Sequence, residues 1–281
     1  MIGVDIEPDD PKSILVDIVF RKCRFIDNNG GGVNMNLKRL DHDIDAPISI
    51  LFEDCDVTWS TNYPFERGPG PQAGCFEADG YSISNPTAAG SITIRGGTVR
   101  GSAGPGISIV NKPLRGPTVA FVDVTLVETA RIDQWYSRQV PMPWMHVAPI
   151  RMLDNAGGIG GVWFENVHVI DSVKRPFLRY YHGACAKAAR GTKTCPNVTE
   201  DIRGSIIVNG GASPDQCNAS LMSSPCIQGH CQPHILPEGR IFGRRLLSNL
   251  SVSCVPLNSE DTSNARDNLK LLKTDDDDDD N

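Results

Sequence analysis

Apolar and polar residues alternate along this chain in short runs, and the runs repeat. The first is Ile18-x-Phe20-x-x-Cys23-x-Phe25. It returns as Ile50-x-Phe52-x-x-Cys55-x-Val57, Ile92-x-Ile94-x-x-Gly97-x-Val99, Val119-x-Phe121-x-x-Val124-x-Leu126 and Val162-x-Phe164-x-x-Val167-x-Val169, and Ile206-x-Val208 begins a sixth copy. A shorter run accompanies it: Gly3-Val-Asp-Ile6, Gly32-Val-Asn-Met35, Gly80-Tyr-Ser-Ile83, Gly106-Ile-Ser-Ile109 and Pro149-Ile-Arg-Met152, with Arg175-Pro-Phe-Leu178 as a degenerate copy. Period-two alternation predicts half-buried strands, one for each run, separated by glycine-rich turns such as Asn28 to Gly32.

Neither strand can bury its apolar face alone, so neighbouring units must stack to do it. Stacked parallel strands lie about 4.8 Å apart, and crossovers between them are expected to be right-handed. Within the long run, Cys23 and Cys55 align with Gly97, Val124 and Val167. That column is small or apolar, so both cysteines are read as buried small hydrophobes, and a bridge between them stays within reach.

Gly3-Val-Asp-Ile-Glu-Pro8 and Phe20-Arg-Lys-Cys-Arg-Phe-Ile-Asp-Asn29 resemble the repeat units of right-handed parallel β-helix proteins, the pectin-lyase-like superfamily. The resemblance covers residues 2–208. It implies an all-β fold: a single-stranded right-handed parallel β-helix, or solenoid. It says little about activity, because that superfamily includes lyases, hydrolases, epimerases, phage tailspikes and adhesins.

The composition agrees with many turns: 27 glycines and 20 prolines in 281 residues, with few aromatics. A net charge of −7 argues against a nucleic-acid partner, which needs basic clusters. No apolar run is long enough to span a bilayer. The first residues lack the basic start and apolar core of a signal peptide, and the chain starts inside the strand pattern, as the C-terminal part of a longer protein would.

Six of the nine cysteines fall late: Cys185, Cys195, Cys217, Cys226, Cys231 and Cys254. Three glycosylation sequons, at Asn197, Asn218 and Asn249, share that region. Together they predict a disulfide-stapled, secreted or cell-surface segment. Residues 209–272 are read as a cysteine-rich, loop-rich cap over the open end of the stack, and 273–281 as a disordered acidic tail. A zinc site from Cys217, Cys226, Cys231 and His234 fits no standard spacing.

The turn from the long run to the short one is where copies differ. Phe25 to Gly32 and Val99 to Gly106 are each seven positions; Val57 to Gly80 and Leu126 to Pro149 are each 23. The second and fourth units therefore carry a 16-residue insertion at the same corner. The third, Arg100 to Pro105, does not, and would form a floor between two walls. Long insertions of this kind are more often functional than decorative.

The insertions hold three of the four tryptophans, Trp59, Trp135 and Trp144, with Tyr63 and Tyr136. Aromatic faces beside the charged groups Arg67, Arg131 and Arg138 suit a polysaccharide, whose C–H faces stack while its hydroxyls hydrogen-bond. The alternative is that each loop packs its aromatics against the body. Glycoside hydrolysis would require two carboxylates, from Glu66, Asp79, Glu128 and Asp133. Elimination would require a base and a cation, from Tyr136, His146 and Arg151 with the loop arginines. Arg151 is preferred as a floor contact, because it is the one basic residue in the outward column Asp5, Asn34, Ser82, Ser108, Arg151. Its plain reading is a solvated surface arginine.

Calcium is the one cofactor left open, at the acidic edge Asp5, Glu7, Asp9 and Asp10. Asp41-His-Asp-Ile-Asp45 starts like a calcium loop but has Ala46 and Phe52 where glycine and glutamate belong. The expectation is an extracellular polysaccharide-binding protein with a cleft between the insertions. Lyase-type chemistry stands slightly ahead of hydrolysis, and a non-catalytic recognition or adhesion module is the alternative.

Overall fold

The computed structural model describes residues 2–28, 31–40, 47–58, 79–130, 148–154, 158–173, 175–182, 199–210, 219–223, 226–227, 230–231, 234–235 and 249–256. The described part is all-β, with no α-helix, and consists almost wholly of parallel strands in two large sheets. No helix in it is long and apolar enough to cross a membrane.

The short runs form one sheet of eight strands. Val4–Ile6, Val33–Asn36, Tyr81–Ser84, Ile107–Val110, Ile150–Asp154, Leu178–His182 and Ala219–Ser223 pair in parallel in that order, and His234–Ile235 closes it antiparallel. The long runs form an eleven-stranded sheet, together with Thr199–Gly210 and, pairing parallel beyond it, Leu250–Pro256. Both sheets therefore continue into the late, cysteine-rich region. Leu250–Pro256 carries Cys254, which is disulfide-bonded.

Each long run proves to be two strands with a bend between them. Ile18–Arg21 and Arg24–Ile26 are one such pair, followed by Ile48–Glu53 with Asp56–Thr58, Gly90–Arg95 with Thr98–Arg100, and Thr118–Val122 with Thr125–Val127. In the fifth copy one strand, Gly158–Asp171, crosses the bend, and Thr199–Gly210 runs unbroken beside it. The bend lies at Lys22, Asp54, Gly96, Asp123 and Asn166, all with φ between 51° and 66°. Such angles are tolerated by glycine, asparagine and aspartate more readily than by other residues. The bends also bond to one another: the amides of Lys22, Asp54, Gly96 and Asp123 donate to Glu53, Arg95, Val122 and Glu165.

Between the sheets run columns of buried side chains. Val33, Tyr81, Ile107, Ile150 and Leu178 are in register; so are Met35, Ile83, Ile109, Met152 and Tyr180 on the same face, and Phe52, Ile94, Phe121 and Phe164 opposite. Phe20 stacks on Phe52 at 4.6 Å and Phe121 on Phe164 at 5.6 Å, so the aromatic columns add face-to-face contact to apolar burial. The first repeat is the exception. Its core-facing Val4, Ile6, Ile18, Phe20 and Phe25 are only partly buried, because nothing described stacks beneath them.

The degenerate short run needs one correction. Ile150 pairs with Leu178, so the copy starts at Phe177 and not at Arg175. The shift is of two residues, the period of a strand, so Leu178 and Tyr180 stay inside and Arg179 outside. Arg175 is held back in the preceding corner.

At another corner, Lys112 is fully buried after Ile107–Val110. Its ammonium donates to the carbonyls of Pro113 at 2.7 Å and Gly160 at 2.6 Å. Burial lowers its pKa from 10.5 to about 8, against a smaller opposing pull from Asp201.

Candidate functional site

The two insertions begin and end at one corner. The described chain stops after Thr58 and resumes at Asp79 in the second repeat, and stops after Ala130 and resumes at Ala148 in the fourth. The stubs are bonded through the third repeat, which lacks an insertion. Gly80 N donates to Pro105 O at 2.9 Å, Ala130 N to Gly104 O at 2.8 Å, and Ile107 N to Pro149 O at 3.2 Å. The floor between them is packed: Gly101, Ser102, Gly104 and Pro105 are buried, and Ser102 Oγ donates to Gly104 O.

Of the residues weighed for catalysis or binding at the insertions, Arg151, Asp79 and Glu128 lie within the described part. Asp133, His146, Tyr136, Glu66, Trp59, Tyr63, Arg67, Arg131, Trp135, Arg138 and Trp144 all lie outside it. The outward column is confirmed: Asp5, Asn34, Ser82, Ser108 and Arg151 are in register on successive strands. It continues to Arg179, so Arg151 is not its only basic member.

Arg151 is no solvated surface arginine. Its side chain is 4% exposed, and its Nη2 donates to Asp79 Oδ2 at 2.7 Å; Asp79 is 1% exposed. Ser108 Oγ accepts from Arg151 Nη2 at 2.7 Å and from Nε at 3.1 Å, and also bonds Asp79. Burial pushes the Asp79 carboxyl up from 3.8 to about 6, outweighing the opposing pull of the Arg151 charge and the Ser108 bond. Asp79 was among the sequence candidates, but its link to Arg151 was not; the two are 72 residues apart and joined across an insertion.

The other described acid among the sequence candidates, Glu128, has a framework role. It is 6% exposed, and its two carboxylate oxygens accept from Ser172 N and Ser172 Oγ, each at 2.9 Å. Beside it, Arg175 makes a buried ion pair with Asp171 at 2.6 Å and donates to the carbonyls of Thr129 and Ala130, each at 2.7 Å. Arg175 thus fixes the chain where the second insertion departs. Its signal in the sequence was its break with the strand pattern.

Three further polar atoms of this corner are buried with no hydrogen-bond partner: Asp79 Oδ1, Arg100 Nη1 and Thr129 Oγ1. They come from the second, third and fourth repeats in turn. Buried polar groups are nearly always satisfied, so three open ones at a single corner call for water or a ligand.

The acidic edge is differently arranged. Asn34 Nδ2 donates to Asp5 Oδ1 at 2.9 Å, Asn36 Nδ2 donates to Glu7 Oε1 at 2.8 Å, and Arg39 pairs with Asp9. Among the described residues no three potential metal ligands converge. Residues 41–45 and the side chains of Cys217, Cys226, Cys231 and His234 lie outside the description.

Compared with protein-family models, curated proteins and solved structures, the chain matches none.

Proposed function

We propose that this chain is a right-handed parallel β-helix of the pectin-lyase-like kind, secreted or cell-surface, and that it binds an extracellular polysaccharide at the corner from which both insertions depart. The supporting observation is the set of three buried, unpartnered polar atoms there. Asp79 Oδ1 accepts, Arg100 Nη1 donates and Thr129 Oγ1 does both. A saccharide hydroxyl also donates and accepts, so one sugar class can serve all three. The aromatic residues of the insertions, Trp59, Tyr63, Trp135 and Trp144, would supply stacking.

A second reading adds chemistry, and Asp79 favours it. With a pKa of about 6 beside a guanidinium, it has the character of a base for elimination from a uronate. It would take the proton next to the sugar carboxylate while Arg151 neutralises that carboxylate. The bond to the leaving oxygen then breaks, a carbon–carbon double bond forms, and the leaving oxygen takes a proton from solvent.

The test is incubation with a panel of uronate and neutral polysaccharides. Binding is expected to a member of the panel. Unsaturated-uronate absorbance identifies elimination, reducing ends without it identify hydrolysis, and binding without product identifies a recognition module. No binding to any member overturns the proposal.

A further inference from the structure

We infer that Cys23 and Cys55 are a redox-responsive pair, closing to a cross-strand disulfide that pins the first repeat to the second. Register brings them together. Arg21 pairs with Glu53 before the bend and Arg24 with Asp56 after it, so Cys23 lies opposite Cys55 on the neighbouring repeat. The bend residues that precede them, Lys22 and Asp54, share φ = 52°, so the two bends superimpose. Asp56 N donates to Cys23 O at 2.9 Å. Adjacent parallel strands are about 4.8 Å apart, inside the Cα separation of about 4.4–6.8 Å that a disulfide spans.

Both thiols are free, and they are oriented alike. Cys23 Sγ donates to Arg21 O and Cys55 Sγ to Glu53 O, each at 3.4 Å and two residues back. Cys55 Sγ is also 3.5 Å from Phe20 O, on the repeat that carries Cys23, and the two thiols interact directly. Closing the bond requires the Cβ atoms to approach slightly. The first repeat can supply that movement, because its core-facing Ile18, Phe20 and Phe25 are only partly buried. In Leu250–Pro256, the last described strand of the same sheet, Cys254 is already disulfide-bonded.

Exposure sets the order of events. Cys23 is partly exposed and Cys55 buried, and burial raises the Cys55 thiol pKa. Cys23 is therefore the thiol that meets an external disulfide. As thiolate it attacks one sulfur of oxidised glutathione, forming a mixed disulfide and releasing one glutathione thiolate. Cys55 then gives its proton to solvent and attacks Cys23 Sγ, and the second glutathione leaves. One external disulfide is reduced to two thiols and one protein disulfide is formed.

The test uses the full chain with oxidised glutathione, followed by alkylation, peptide mapping and hydrogen exchange. The expected results are a Cys23–Cys55 cross-linked peptide and exchange of the 18–26 amides slowed about tenfold or more. A reductant should reverse both, and C23S and C55S should each abolish both. The inference is overturned if Cys55 still alkylates after oxidation, if it is cross-linked to Cys75 or another cysteine, or if the bond forms with no change in exchange.

Discussion

Arg151 Nη2 reaches Asp79 Oδ2 at 2.7 Å, closing an ion pair between residues 72 positions apart with both side chains sealed from solvent. Removing one member leaves the other charge buried and uncompensated, which costs about 3–5 kcal/mol. D79A and R151A should each lose that much in urea unfolding at pH 7. The double replacement D79L/R151M should lose clearly less than the sum, since no charge is stranded.

The same pair makes stability depend on acidity. The folded pKa of Asp79, about 6, lies above its ordinary 3.8, so between those values the folded chain binds more protons than the unfolded one. Stability contributed by protonated Asp79 is therefore full below about pH 4, falls as pH rises, and has gone above about pH 6. The drop is about 3 kcal/mol. Denaturant unfolding from pH 4 to 7 should show this slope in the natural chain and not in D79N.

Lys112 gives the opposite sign. Its folded pKa of about 8 lies below 10.5, so across that window the folded chain binds fewer protons and is stabilised as pH rises. Between pH 8 and 10.5 the chain should gain about 3 kcal/mol relative to K112M. The difference between the two proteins is the quantity to measure, since other groups titrate in both.

Gly97 tests the stacking of the bends. Its φ is 77°, and a Cβ there would stand 2.0 Å from Cys55 O, a backbone atom that cannot step aside. G97V should destabilise by at least about 3 kcal/mol, from strain and collision together. G96N should cost under about 1 kcal/mol, because asparagine tolerates φ = 66° and the nearest atom is the Asp54 side-chain tip. Equal losses from the two variants would contradict the alignment of the bends.

The strand columns were legible in the sequence because core-facing positions repeat with period two and every copy restates them. The insertions were legible as departures from a seven-residue turn. The bend was hidden by reading Ile18 to Phe25 as one strand, although Lys22, Asp54, Gly96, Asp123 and Asn166 form an aligned column dominated by residues that tolerate positive φ. The partner of Arg151 was hidden for a different reason. Asp79 stands outside the repeating positions, at the return of an insertion, and no periodicity carries its placement. Arg175 misled the register because it occupies a strand-like place in the sequence while its guanidinium binds Asp171 and two corner carbonyls.

The central claim is that the corner shared by the insertions binds a polysaccharide. The most direct measurement is calorimetric titration of the tightest-binding polysaccharide from the panel into the natural chain and into R100M/T129V, with unchanged circular dichroism as the control for folding. Loss of two buried hydrogen bonds to the ligand should weaken binding about tenfold or more. Equal affinity in the two proteins would place the ligand elsewhere and contradict the account.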